Sequence, residues 1–442
     1  MTRRNRKTLS AEIVPASVTS MSHDARGVSR VKGKAVFIDG ALPGEDVTFR
    51  YLKQHRNYDE GIAQDVLLAS AERVTPSCIH FSLCGACSLQ HMEGQAQIHH
   101  KQKILLETLE HIGKVQPETV MPPMVGAVWG YRRRARLGAK YVAKKQTFML
   151  GFREKRTAVL AELTRCEVLD PRVGERFMAL RNLLAQLQAR ECIPQVEVAM
   201  GDDDIALVFR HLVPLEAADI AKLRDYGMQN QIQIYLQPGG VDSIHLLWPE
   251  QATLSYTLPE FQVELFFRPG DFTQVNASIN RQMVHKAIEL LAPTENEEVL
   301  DLFCGLGNFT LPLARRAKTV VGVEGEPGLI QRAEQNARHN DIHNAKFHVA
   351  DLAGDPRKQP WFNRRFDKLL LDPPRAGALE MVRHLDVFAP SRMVYISCNP
   401  ATLARDANVI VKEHGYHFRS AGVMDMFPHT THVESIAVFE RG

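Results

Sequence analysis

A run of β-branched and aromatic residues, Val394-Tyr395-Ile396-Ser397, stops at Cys398, and Asn399-Pro400 prevents the strand from continuing. Cys398 is expected at the C-terminal tip of that strand, where the open sheets of α/β enzymes present reacting groups to a ligand. A second run, Lys368-Leu369-Leu370-Leu371, ends the same way at Asp372-Pro373-Pro374-Arg375. A thiol on one tip and a carboxylate on another suit nucleophilic and acid–base chemistry in a shared pocket. A lone cysteine more often packs as a small buried apolar residue, so the neighbouring motifs decide between packing and reactivity.

A third strand opens a glycine loop, Val299-Leu300-Asp301-Leu302-Phe303-Cys304-Gly305-Leu306-Gly307-Asn308. Its glycines let the backbone turn tightly and approach a ligand at the start of the next helix. The following strand ends at Glu324, 19 residues after Gly305, where an acid can hold two ribose hydroxyls. Another ends at Asp351, suited to the exocyclic amine of an adenine. Nicotinamide dinucleotides use similar loops, but Asn308 stands where a longer glycine fingerprint would continue. The series resembles the class I S-adenosylmethionine-dependent methyltransferase fold.

Upstream, Phe272-Thr273-Gln274-Val275-Asn276 precedes a helix expected over 278–292. Together with Asp-x-Phe-Cys-Gly-x-Gly at 301–307, Asp-Pro-Pro-Arg at 372–375, Ser-Cys-Asn-Pro at 397–400 and His432-Val433-Glu434, it resembles the RNA uridine-C5 methyltransferases. The resemblance implies that Gln274, Phe303, Asn308, Glu324, Asp351 and Asp372 contact S-adenosyl-L-methionine or line its pocket. For Phe303, core packing is the competing role.

The same resemblance implies a mechanism. Carbon 5 of uracil is a poor nucleophile, and a thiolate adding to carbon 6 turns the ring into an enolate that can attack a methyl sulfonium. Cys398 is the expected nucleophile, with cationic or hydrogen-bonding neighbours lowering its pKa. Glu434 is the expected general base for the carbon-5 proton, and Asp372 is expected to orient the ring or the cofactor. An Asp-Pro-Pro-Tyr tip would suggest methylation of an exocyclic amine instead; Arg375 and Cys398 argue against it. A uridine inside folded RNA must be swung out of its stack to meet Cys398.

The elements that position these residues fall into three blocks of an α/β multidomain chain. Its 442 residues, 45% of them hydrophobic, have material for several packed cores. Block 1–70 has short strands near 33–38, 46–51 and 61–68 with turn signals between them, which indicates a small β-barrel. Its Arg26–Arg30, Gly33–Ile38 and Gly40–Glu45 pattern resembles the OB-like TRAM domain, which implies RNA binding, a plain protein-binding module being the alternative use of a small barrel. Block 71–265 is a central α+β region with a helix over 95–112 and strands over 196–200, 205–209 and 232–236. Block 266–442 alternates strands (298–303, 319–323, 345–349, 366–371, 392–397, 432–439) with helices (308–317, 327–340, 377–388, 400–414). That alternation is the signature of a doubly wound, Rossmann-like catalytic sheet.

Net charge is only +3, but residues 128–160 carry ten Lys and Arg against Glu154 alone, and residues 1–56 eleven against five acids. Segregated cations suit a polyanion. Arg132, Arg134 and Arg136 alternate, so a strand over Tyr131–Leu137 would put all three on one RNA-facing side. No apolar run approaches the roughly 18 residues of a membrane span. The basic start Thr2-Arg3-Arg4-Asn5-Arg6-Lys7 lacks the apolar core of a secretory signal. A cytoplasmic enzyme is expected.

Cys78, Cys84 and Cys87 form C-x5-C-x2-C, with Cys166 downstream. This spacing in a cytosolic protein suggests metal rather than disulfides, and the residues leave tetrahedral zinc and an iron–sulfur cluster both open. The resemblance implies a [4Fe-4S] cluster on Cys78, Cys84, Cys87 and Cys166, with Cys192 and Cys304 as ordinary buried thiols. Barrel, cysteine block and catalytic block together resemble the branch of the family acting on bacterial 23S rRNA, over nearly the whole chain. The tRNA-directed branch typically lacks the first two. The implied partner is 23S rRNA, naked or in a pre-ribosomal large-subunit particle, met by a monomer without a membrane. The alternatives are uridine methylation in tRNA, or a non-catalytic, metal-containing RNA-binding or assembly factor. The intact set of Gln274, Glu324, Asp372, Cys398 and Glu434 speaks against the latter.

Overall fold

The computed structural model describes residues 12–442, so the basic stretch Thr2–Lys7 lies outside the described residues. The chain divides into two compact units. One comprises the chain up to Ser82 with Cys87–His100 and Pro428–Thr431; the other comprises Leu83–Ala86, Lys101–Phe427 and His432–Gly442.

The first unit holds a six-stranded sheet of Ile13–Ser17, Ser20–Met21, Arg26–Val31, Lys34–Asp39, Asp46–Gln54 and Tyr58–Leu68. All pairs are antiparallel except Lys34–Asp39 with Tyr58–Leu68. Ile13–Ser17 also lies against Arg26–Val31, so the sheet curves back on itself. Two-residue alternation turns Val36, Ile38, Val47 and Phe49 inward onto Val18 and Ala41. Arg73 pairs with the buried Glu45, which also accepts the Leu42 amide at 2.8 Å and ties the turn down.

The second unit holds two large sheets. The central one runs, in spatial order, His245–Trp248, Gln233–Gln237, Ile205–Arg210, Gln195–Met200, Arg134–Val142 and Thr147–Gly151. The basic strand begins at Arg134 rather than Tyr131, and Arg132 sits before it on single bridges to Leu169 and Asn276.

The other sheet has eight strands, in the order Ala345–Val349, Thr319–Glu324, Glu298–Leu302, Lys368–Leu371, Arg392–Ser397, Glu434–Arg441, Tyr416–Met424 and Thr119–Val120. The first five are mutually parallel, and Glu434–Arg441 runs antiparallel to both neighbours. Val299, Leu300, Val320, Val321, Leu370 and Val394 are fully buried, as strands covered on both faces require. Tyr416–Met424 escapes the sequence pattern because a register shift between Phe418 and Ser420 breaks its two-residue period. The expected helix 377–388 is two short helices, Leu379–Val382 and Leu385–Phe388. No helix of the described residues is long and apolar enough to cross a membrane.

Candidate active site

The parallel part of the eight-stranded sheet begins at Glu298–Leu302, winds outward to Thr319–Glu324 and Ala345–Val349, then reverses to Lys368–Leu371 and Arg392–Ser397. Such a reversal opens a crevice at the carboxyl ends of the strands. Phe303, Glu324, Asp351, Asp372 and Cys398 stand at or just beyond five of those ends.

Phe303 has φ +66°, and Gly305 and Gly307 follow with +56° and +98°. A bulky residue in the left-handed region is strained and persists only where its surroundings hold it; here the Phe303 and Cys304 amides both donate to the Val323 carbonyl, at 2.9 and 3.1 Å. Phe303 is half-buried, not part of the core. A Cβ added at Gly305 would meet nothing within 4 Å, so the loop borders open space. The Gly305 amide donates to Glu324 Oε2 at 3.2 Å, while Oε1 accepts from Gly325 and Glu326 at 2.7 and 3.2 Å. Behind the loop, the fully buried Asp301 accepts from the Thr310 hydroxyl at 2.5 Å.

Asn308 is held on both sides of its amide. Its Oδ1 accepts from the Tyr256 hydroxyl at 2.9 Å and Asn280 Nδ2 at 3.0 Å, and its Nδ2 donates to Asn280 Oδ1 at 3.0 Å. Tyr256 and Asn280 line a small cavity with Gln274, just ahead of the Asn276 cap on the helix Ala277–Leu291. Asp351 is exposed and accepts the Ala353 amide at 3.0 Å. An open glycine loop bonded to the Glu324 carboxylate, with the exposed Asp351 carboxylate beyond the end of Ala345–Val349, fits an adenosine-bearing cofactor, hydroxyls and amines being donors to such acceptors.

The reacting end lies further along. Ser397 is in register with Ser435 across an antiparallel pair, so Cys398 and Glu434, each one residue further toward the same edge, face each other. Burial pushes the Glu434 carboxyl up to about 8, helped by Asp372 and opposed by Lys101 and Arg375. Burial with nearby Glu324 raises Asp372 to about 7. The Cys398 thiol is pushed up to about 11 by burial, then by Glu434 and Asp372, with Arg375 opposing. This corrects the expectation of a lowered thiol pKa: two acids and desolvation outweigh one guanidinium.

The Ser-Cys-Asn-Pro turn is built to hold this arrangement. Asn399 caps the helix Pro400–Lys412 by accepting the Ala401 amide, and its Nδ2 donates to the Arg375 carbonyl at 3.1 Å. Thr402 donates to the same carbonyl at 3.3 Å. The two strand-tip loops are thus clasped together. Sequence reasoning missed Arg375 and Lys101 as site residues. The arginine of the Asp-Pro-Pro-Arg motif was a usable signal; Lys101, inside the helix Gly94–Thr108, had none.

Arg134, Arg136 and Lys140 share one side of their strand, opposite buried Ala135, Leu137 and Ala139. Arg134 donates to the Gly270 and Asp271 carbonyls, and exposed Arg136 pairs with Glu197 at 2.7 Å. Arg132 lies outside that strand; its Nε donates to the Arg134 carbonyl, and burial, then Arg375, Lys101 and Arg132, lower the His432 pKa. The three arginines are therefore not one even face.

Cys84 and Cys87 are buried, Cys78 and Cys166 half-buried. Cys78 and Cys87 belong to the first unit, Cys84 and Cys166 to the second. Among the described residues no group of three or more His, Cys, Asp or Glu side chains is gathered to hold a metal, so the expected cluster gains no support from the described geometry. Cys304 is buried as expected, whereas Cys192 is half-buried.

The tRNA (Uracil-5-)-methyltransferase family profile matches residues 97–441. A protein of Alcanivorax borkumensis named 23S rRNA (uracil(1939)-C(5))-methyltransferase is 51% identical over 440 residues, covering 99% of each chain. A protein of the same name from Methylococcus capsulatus is also 51% identical over 440 residues, with 99% of each chain covered. Among solved structures, the Pyrococcus abyssi tRNA (uracil-54, C5)-methyltransferase in complex with S-adenosyl-L-homocysteine shares the fold. It matches with a TM-score of 0.73 at 24% identity, over 96% of this chain and 99% of that one.

Proposed function

The chain belongs to the tRNA (uracil-5-)-methyltransferase family, and from that premise we propose that Cys398 and Glu434 share a covalent C5-methylation between them. The protein is an S-adenosylmethionine-dependent RNA (uracil-C5)-methyltransferase acting on a uridine of 23S rRNA. The observation that carries the division of labour is the facing of Cys398 and Glu434 across adjacent strand tips.

Cys398 adds as thiolate to carbon 6 of an extruded uracil, forming a C–S bond and driving the ring electrons onto carbon 5 and oxygen 4. S-adenosyl-L-methionine, when bound, supplies an electrophilic methyl group and a positive charge. Gln274, Phe303, Asn308, Glu324, Asp351 and Asp372 are proposed to hold it. Once carbon 5 is methylated, Glu434 takes its remaining proton, the C–H electrons restore the 5,6 double bond, and the thiolate of Cys398 departs. Asp372, drawn toward neutrality by burial, is proposed to donate a hydrogen bond that orients ring or cofactor.

The curved sheet within residues 1–70 is proposed to be a TRAM-type RNA-binding barrel, 71–265 the central domain and 266–442 the catalytic one. Arg132 and Arg136 are proposed to meet RNA phosphates, with Arg134 anchoring the segment between them. Cys78, Cys84, Cys87 and Cys166 are proposed to hold a [4Fe-4S] cluster, zinc being the alternative. Support comes from the C-x5-C-x2-C spacing and from four soft donors; no catalytic step passes through the cluster. Iron and zinc content with the visible spectrum of anaerobically purified protein separates the two. The reaction is proposed to take place in the cytoplasm, by a monomer, on free rRNA or a pre-ribosomal particle.

The test is mass-spectrometric mapping of 23S rRNA treated with the protein and methyl donor, beside 5-fluorouridine-containing RNA. One new 5-methyluridine and an SDS-stable adduct at Cys398 are expected. Methylation without a trapped adduct overturns the covalent route.

A further inference from the structure

Lys101 is 1% exposed. A buried ammonium is tolerated only when paired and hydrogen-bonded, and an apolar pair of similar volume would serve stability as well. Lys101 Nζ donates to Asp425 Oδ1 at 2.7 Å and to the Phe427 carbonyl at 2.9 Å. Asp425 directly follows Met424, which is in register with Glu434 across the pair of Tyr416–Met424 and Glu434–Arg441. Glu434 therefore has Cys398 at one neighbouring strand end and the Lys101–Asp425 pair at the other.

The charged and titratable groups around Glu434 come from every element packed there. Cys398 comes from the end of Arg392–Ser397, Asp372 and Arg375 from the loop after Lys368–Leu371, and Asp425 from the end of Tyr416–Met424. His432 lies two residues upstream, and Lys101 comes from the helix Gly94–Thr108. Among the described residues, Lys101 and then Arg375 favour the carboxylate form of Glu434, against burial and Asp372. Arg375 lies in an exposed loop beside the thiol, whereas Lys101 is fixed by two hydrogen bonds.

We propose that Lys101 is a positioning residue for the proton-abstraction step, holding a fixed positive charge behind Glu434 so that its carboxyl stays available as a base. This rests on the reading of Glu434 as that base. Lys101 exchanges no proton itself: the carbon-5 proton goes to Glu434, its electron pair to the 5,6 bond, and the C–S electrons to Cys398.

The experiment compares Lys101→Met, Lys101→Gln and Lys101→Arg in the full chain, on unmodified substrate RNA and on 5-fluorouridine RNA, whose adduct forms before any proton is taken. Lys101→Met and Lys101→Gln are expected to lower turnover by about tenfold or more and to move the acid limb of the turnover profile up by about one pH unit, since one pKa unit is tenfold in equilibrium. They should also accumulate covalent adduct on unmodified RNA while trapping 5-fluorouridine RNA at the wild-type rate. Lys101→Arg should restore the profile. Should Lys101→Met fail to fold, Lys101→Gln, which keeps a donor for Phe427, is read alone. An unmoved pH profile, or trapping and turnover falling together, overturns the proposal. Glu434→Gln run in parallel tells the two failures apart: if it accumulates adduct and the Lys101 variants do not, only the role of Lys101 is lost.

Discussion

Cys398 and Glu434 stand opposite each other at the ends of an antiparallel strand pair, the step beyond the Ser397–Ser435 register. The nucleophile thus faces an acid rather than a cation. Burial and then Glu434 hold the thiol near 11, while burial and then Asp372 hold Glu434 near 8. The thiolate form of Cys398 is therefore disfavoured by its own surroundings, with Arg375 as the opposing cation.

The first consequence is kinetic. Below its pKa a thiol ionises tenfold more for each unit of pH. The rate of adduct formation with 5-fluorouridine RNA should therefore climb about tenfold per unit from pH 7 to pH 9. A flat rate over that window, measured by rapid quench and denaturing gel, would sink the assignment of a raised thiol pKa. Cys398→Ala should form no adduct at any pH.

Arg375 is the cation that opposes the rise of the Cys398 pKa. Arg375→Ala should push the thiol further up and slow adduct formation by about tenfold, the effect of one pKa unit. Arg375→Lys should recover part of the rate, a point charge without the planar fork. Equal rates for all three proteins at pH 7.5 would remove Arg375 from the activation of Cys398.

Glu434→Gln separates the two halves of the reaction. The amide keeps the shape of the side chain but cannot take a proton, so methyl transfer should proceed and release should stall. Turnover should fall by about 10²–10⁴, the usual worth of a general base, while methylated RNA–protein adduct builds up on denaturing gels. Loss of turnover without adduct would show that Glu434 acts before the methyl is transferred.

The strand tips were legible because each β-branched run ends at a residue the sheet cannot continue through, such as Asn399-Pro400 or Pro373-Pro374. The direction of the thiol shift was not. It depends on Glu434 and Asp372 converging from strands whose neighbours only the register defines. Tyr416–Met424 was missed because its bulge hides the two-residue period, and Lys101 because its partner Asp425 lies 324 residues away. The cysteine motif was legible only as a spacing pattern, to which no group of three or more gathered His, Cys, Asp or Glu side chains among the described residues adds.

The glycine loop makes a prediction about stability rather than turnover. Burial pushes the Asp301 carboxyl up to about 8, with the Thr310 hydrogen bond opposing, and Asp301 Oδ1 has no hydrogen-bond partner. The folded protein therefore keeps a proton there that the unfolded chain gives up near the ordinary carboxylate value of 3.8. Because the native state binds the extra proton, stability is greatest below pH 4 as far as this group is concerned. It declines as pH rises from about 4 to about 8 and levels off above that. Asp372 and Glu434 contribute in the same direction, so the slope alone does not isolate Asp301. Asp301→Asn does, because an amide has no proton to lose. The Tm difference between variant and wild type should favour the variant more at pH 8.5 than at pH 5, by several degrees in differential scanning calorimetry. An identical difference at both pH values would mean that Asp301 ionises in the folded protein as it does in the unfolded chain.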